Sequence, residues 1–137
     1  LKNSIKQVIE SIEALNFNEI ELIAFEKYPD TNIDKIYPLL TFYLDDGQMT
    51  FDKNVNLFNL RFRLMDVVSN QGDKDLRRKE VISDCFSIAS GFVEHLRGAD
   101  FGVNAVTTAT PLNSVLKDGL GGVEFTVTFN ISKICLT

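Results

Sequence analysis

The spacing of apolar residues alternates between two periods along this chain, and each change of period marks an element. Ile5, Val8, Ile9, Ile12 and Leu15 recur at three- and four-residue steps, with Lys6, Gln7, Glu10, Ser11 and Glu13 between them. That pattern predicts an amphipathic helix over residues 3–15. Asn3 or Ser4 supplies its capping oxygen, and Asn16-Phe17-Asn18 ends the periodicity. Residues 20–25, IELIAF, read as a short strand followed by the turn-rich stretch KYPDTNIDK. A second strand is predicted from Tyr37-Pro38 to Leu44, the proline standing where a missing donor costs little. Asp45-Asp46-Gly47 is turn chemistry. The third strand, 55–66, places Phe58, Leu60, Phe62 and Leu64 on one side and Asn59, Arg61 and Arg63 on the other. The second and third strands therefore read as an antiparallel hairpin with a long tip, residues 45–54.

After the polar break SNQGDKD, a long helix is predicted over 74–97. Its apolar stripe is Ile82, Cys85, Phe86, Ala89, Phe92, Val93 and Leu96, and Gly98 is its natural stop. A fourth strand lies within 103–110, with Pro111 ending it. The loop PLNSVLKDGLGG leads to a last strand, 123–132, where Val123, Phe125, Val127, Phe129 and Ile131 alternate with Glu124, Thr126, Thr128, Asn130 and Ser132. Strict alternation describes a half-buried, antiparallel strand. This order predicts a two-layer α+β sandwich: an antiparallel sheet of four to five strands with both helices on its Phe-rich face. The sequence carries no repeat, linker or low-complexity tract, so residues 1–137 read as a single domain.

Composition narrows the picture. The chain has 137 residues, long enough for one core, and its 45% hydrophobic and 24% charged content is that of a folded protein. Eleven Phe, three Tyr and no Trp point to flat rings packed between sheet and helices. A net charge of −5 excludes electrostatic nucleic-acid binding by the molecule as a whole. Cys85 and Cys135 belong to no CxxC or Cys/His cluster and read as buried thiols in a reducing compartment. The opening residues read as a helix and not as a signal peptide; with Leu1 first, an initiator methionine is expected to have been lost or left out of the numbering. No apolar stretch approaches the ~20 residues that cross a bilayer, so no membrane contact is expected.

Candidate chemistry is sparse. The single histidine, His95, is ten residues beyond Cys85, about 80° around a helix, so the pair is not placed to share a proton. Asp45, Asp46 and Asp52 share the hairpin tip, but their spacing matches no calcium loop and turn chemistry accounts for them. Gly119, Gly121 and Gly122 precede a strand, whereas a phosphate cradle needs a helix N-terminus; flexibility or a bulge explains them better. Ser83, Ser87 and Ser90 have no base beside them. No catalytic, cofactor-binding or metal-binding residue is therefore expected, and the chain reads as one that assembles with other proteins.

The element order and the closing stretch carry a resemblance. A strand with Tyr37-Pro38-Leu39 leads to a long-tipped hairpin and a long helix. A Thr-rich strand then ends in Pro111, and a Lys117-Asp118-Gly119 turn feeds GGVEFTVTFNIS. Over almost its whole length the chain resembles the tail-terminator and head–tail connector (neck ring) proteins of tailed double-stranded DNA phages. The resemblance implies a structural virion protein, assembled in the host cytoplasm into a homo-oligomeric ring, sixfold or higher, at the head–tail junction. Such a ring contacts tail-tube or portal proteins and leaves a channel through which DNA passes without specific binding. An acidic lumen suits that passage, since like charge prevents sticking.

Three groups of residues are candidates for protein contacts. Met49 and Phe51 are apolar in an otherwise polar tip. Arg77 and Arg78, with Lys79, stand in the first turns of the long helix, where the dipole disfavours cations; a solvated face with Asp73, Asp75 and Glu80 as partners is the simpler account. Glu124, Thr126, Thr128 and Asn130 form the polar side of the last strand. Two other classes compete with the ring: a non-viral binding or regulatory module with a pocket between helices and sheet, and an enzyme using backbone and Asp groups of the tip.

Overall fold

Two thirteen-residue strands, Val55–Val67 and Leu120–Ser132, run antiparallel beside each other through the middle of the sheet. The computed structural model describes residues 4–15, 21–23, 39–44, 49–51, 55–67, 74–99, 101–112 and 120–132. In chain order the elements are α1 (Ile5–Glu13), β1 (Glu21–Ile23), β2 (Leu39–Leu44), β3 (Thr50–Phe51), β4 (Val55–Val67), α2 (Lys74–Gly98), β5 (Val103–Val106), β6 (Thr110–Pro111) and β7 (Leu120–Ser132). The sheet order is β1-β2-β4-β7-β5, with β3 pairing β4 and β6 pairing β7.

Alternation makes one face of the sheet apolar, and register lines those residues up. Phe58 pairs with Phe129, Leu60 with Val127, Phe62 with Phe125 and Leu64 with Val123, while Phe42 and Leu40 continue the rows on β2. All are buried, and they form one core with Val8 and Ile12 of α1 and Cys85, Ala89, Phe92 and Leu96 of α2. Both helices thus cover the same face, as the apolar periodicity predicts. Phe62 sits at the centre: its ring stacks on Phe42 and Phe125 and meets Phe92 edge-on, all at centroid distances of 5.3–5.5 Å. Stacked and edge-on ring pairs contribute about 0.5–1.5 kcal/mol each beyond the burial of their area. Phe101, just past α2, closes one side of this core.

Several details differ from the sequence expectations. β1 runs parallel to β2, so the sheet is mixed at that edge. The path holds five strands, and two further two-residue strands flank it. One of these, β3, pairs with Asn56 and Leu57 and so lies inside the expected hairpin tip. The fourth expected strand is two pieces: β5, with a register shift between Val103 and Ala105, and β6, which ends at Pro111, paired with Val123. A proline is tolerated there because β6 lies at the margin of the sheet. The helix α1 is capped by Ser4, whose hydroxyl accepts from the Gln7 amide. The helix α2 ends at Gly98, its expected stop, one residue past the expected range of 74–97.

The largest revision concerns Gly121 and Gly122. Both lie within β7, opposite Asp66 and Met65, and not in a flexible lead-in or bulge. Gly122 has φ of 156°, and a Cβ there would stand 1.9 Å from the Leu64 carbonyl oxygen. Only glycine allows the two backbones to approach this closely. The opposite face of the sheet is also buried at this end, by Leu39, Thr41 and Met65.

Candidate protein interface

Met49 and Phe51 stand out among the described residues because they are large, apolar and open to solvent. Phe51 is 87% exposed and Met49 50%. The pairing of β3 with β4 places Phe51 directly opposite Asn56. Asn56 shares its alternation with Phe58 and Leu60, so this rung belongs to the helix-bearing face of the sheet. Asn56 Oδ1 is buried and has no hydrogen-bond partner among the described residues, a condition that costs about 1–3 kcal/mol when no donor arrives. Asp45, Asp46 and Asp52, considered above for a metal, lie outside the described residues. Within those residues no group of three or more His, Cys, Asp or Glu could hold a metal ion.

The basic residues at the start of α2 separate into two kinds. Arg77 is exposed and pairs with Glu80 one turn on, at 3.1 Å. That is the local partner expected of a solvated face, and such pairs contribute only a few tenths of a kcal/mol. Arg78 instead reaches across to the β6 margin, donating from its guanidinium to the Leu112 carbonyl at 3.0 Å. It ties helix to sheet within the chain, while its Nε is buried without a partner among the described residues. Lys79 is exposed. Sequence spacing alone presents the three as one patch; Arg78 belongs to the fold.

The polar side of β7 is built into a cross-strand network. Glu124 accepts from Arg63 Nε at 2.6 Å through one carboxylate oxygen, and its other oxygen lies 3.5 Å from Arg61. Arg61 also donates to the Tyr43 hydroxyl at 3.4 Å, with its guanidinium carbon 6.0 Å from that ring's centroid. Thr128 donates to Asn59 Oδ1 at 2.7 Å. Thr107 Oγ1 accepts the Thr126 amide at 2.8 Å. Glu124, Thr126, Thr128 and Asn130 are all half-buried. Charges and hydroxyls of this face therefore pair with one another across the rungs.

A groove does lie between a helix and the sheet, at α2 and the β5 margin, but its lining residues were not foreseen from the sequence. Phe86, assigned above to the apolar stripe, is 55% exposed. The buried residues Cys85, Ala89, Phe92 and Leu96 follow four-three-four spacing, and Phe86 lies about 100° off that line. It borders a groove of about 320 Å³ with Ala89, Val93, Val106, Ala109 and Phe125. A second groove, about 400 Å³, runs between Ile5 and Ile9 of α1 and Leu44 of β2. The signal available in sequence was the adjacency of Cys85 and Phe86, two apolar residues that cannot both point at the core's centre.

Cys85 and His95 are not brought together: the thiol is in the core and the imidazole is exposed. Burial, with Asp66 and Asp84 adding to it, pushes the Cys85 thiol up to about 12, so it stays protonated and inert at neutral pH. Cys135 lies outside the described residues. No helix is long and apolar enough to cross a membrane among the described residues. No protein-family model matches the sequence, and no curated protein matches it either.

Proposed function

We propose that this chain works by assembly: it is the subunit of a homo-oligomeric ring, of the kind that caps the tail or joins head to tail in a tailed phage, with DNA passing through the lumen. The observation that carries the reading is the apolar tip. Phe51, on a short strand at the side of the sheet, has most of its surface in water, and Met49, just before that strand, is half exposed. Large apolar groups left exposed together mark protein contact surfaces. The hydrogen-bonded polar face of β7 adds support, because a polar surface whose arginines are paired with Glu124 can line a lumen without gripping a polyanion. The acidic net charge, −5, works in the same direction.

The test is the mass of the purified chain in solution, by light scattering, with negative-stain images of the particles. Closed rings of six or more copies support the proposal. A chain that stays monomeric or dimeric at high concentration overturns it. The second reading, a small non-viral binding module, rests on the groove beside Phe86, which is of the size that holds a small apolar ligand.

A further inference from the structure

At the β5 edge of the sheet the main chain turns hydrogen-bonding groups outward, and no described strand lies beyond it. Val106 stands opposite Val127, yet the amide that bonds across is the next one, from Thr107 to the Thr126 carbonyl. In an antiparallel ladder this marks a pair that exchanges no hydrogen bonds of its own, so the N–H and C=O of Val106 point away from β7. Val103 is placed in the same way: it stands opposite Phe129, while the Gly102 carbonyl accepts from the Asn130 amide.

Proteins blunt such edges with charge, proline or bulges, because an unpaired row is a template for another strand. Here those devices stand only at the ends. The register shift lies between Val103 and Ala105, and Pro111 lies in β6. Between them Ala105, Thr107, Thr108 and Thr110 are exposed. Residues 101–112, FGVNAVTTATPL, hold no charged side chain in a chain that is 24% charged.

The groove beside α2 opens onto this same edge. Val106 and Ala109 line one wall, and Phe86, Ser90 and Val93 line the other. Val127 belongs to the buried row of β7, so Val106, its partner, has its side chain on the helix-bearing face. In a strand added beyond β5, the residue opposite Val106 has its side chain on that face too, towards α2. The charged residues of the groove, Glu94 and Arg97, lie 3.3 Å apart and cancel. The charge-matched occupant is therefore a neutral one.

We infer that the β5 edge and the α2 groove together receive an extended, uncharged peptide segment of a partner protein. The segment adds a strand to the sheet, bonds to the main chain of Val106 and sets a large apolar side chain beside Phe86 and Val93. The edge selects this occupant: a small apolar molecule can fill the groove, but it has no alternating donors and acceptors for the Val106 main chain. Main-chain bonds supply affinity, and the groove selects the side chain. The assignment goes beyond the ring reading and does not depend on it.

The probe is a displayed library of random segments of about nine residues, a common strand length, panned on the full chain. Enriched segments should be uncharged at their centre and alternate apolar with polar residues. One enriched sequence is then made in three forms: with an ordinary backbone, N-methylated at odd positions, and N-methylated at even positions. A strand bonds to the edge through alternate residues, so one methylated form should bind like the ordinary peptide in calorimetry. The other should bind about tenfold more weakly or worse, the loss of one or two hydrogen bonds. Val106→Pro removes the outward N–H at an edge position where proline is tolerated; it should melt like the parent chain and lose the peptide. If that variant does not fold, the methylated peptides decide alone. A library that enriches nothing, segments charged at the centre or without alternation, or equal binding of all three forms overturns the inference and leaves the groove to a small molecule. Rings of the parent chain that dissociate in Val106→Pro also overturn it, because a second copy then occupies the edge. Peptide binding by a chain that is monomeric overturns the ring reading alone and supports this one.

Discussion

Phe62 and Phe125 face each other across the β4–β7 ladder with their rings 14° from parallel and their centroids 5.4 Å apart. Phe42 and Phe92 complete the surround of Phe62. Phe62 thus links both central strands, β2 and α2 through ring contacts. Phe62→Ala should cost about 3–5 kcal/mol, the range for emptying a buried aromatic site. Equilibrium urea denaturation checks this, and a loss below 1 kcal/mol would mean that the core collapses readily into the space.

Gly122 sets a backbone requirement that no packing change can relieve. Gly122→Ala places a methyl carbon 1.9 Å from the Leu64 carbonyl oxygen, at a φ that side-chain-bearing residues avoid. The variant is expected to be poorly folded, or to melt well below the parent. Gly98→Ala is the control: nothing lies within 4 Å of the added carbon, so no clash is expected. Equal melting temperatures for the two variants would contradict the close approach at Gly122.

Glu124 serves two arginines on a half-buried face. Removing its charge with Glu124→Gln leaves Arg63 with a weaker acceptor and should cost roughly 1.5–3 kcal/mol, the range for hydrogen bonds to charged groups. The same change in an Arg63→Gln background should cost distinctly less. A double-mutant cycle measures this, and strictly additive losses would show that the pair is not coupled.

Cys85 gives a pH signature. Its thiol titrates near 9.0 when unfolded and at about 12 in the fold. The folded chain therefore holds the proton that the unfolded chain releases. The stabilisation this represents is complete below pH 9 and is lost as the pH rises from 9 towards 12. Thiol-specific reagents at neutral pH should leave Cys85 unmodified in the native chain and modify it in denaturant. Cys85→Ala should flatten the decline in stability above pH 9.

The layers of this fold were legible because period reports burial. Val123 to Ile131 and Phe58 to Leu64 alternate so regularly that strand, inward face and helix-bearing side follow directly. Strand direction was not: nothing in ELI distinguishes a segment parallel to β2 from one antiparallel to it, since direction depends on the connection. Gly121 and Gly122 hid the true start of β7 because glycine has no side chain to show alternation. The tip was legible as Met49 and Phe51 among polar residues. The lining of the groove was not, because an apolar residue at the flank of a helical stripe looks the same in sequence as one at its centre. The Arg63–Glu124 pair depends on a register set between segments sixty-one positions apart, which no local pattern encodes.

The long central ladder also governs the order of events when the chain folds. Its innermost rung joins Val67 to Leu120 and its outermost joins Val55 to Ser132, so no rung closes a loop shorter than about fifty residues. Pairing of this non-local kind belongs to the slow, millisecond-to-second class of folding reactions. β7 is also the last described element in chain order, so a ribosome releases the Phe-rich face of β4 well before its partner strand. Through that interval Phe58 and Phe62 lack the cover of Phe129 and Phe125, and the nascent chain is at its most prone to self-association.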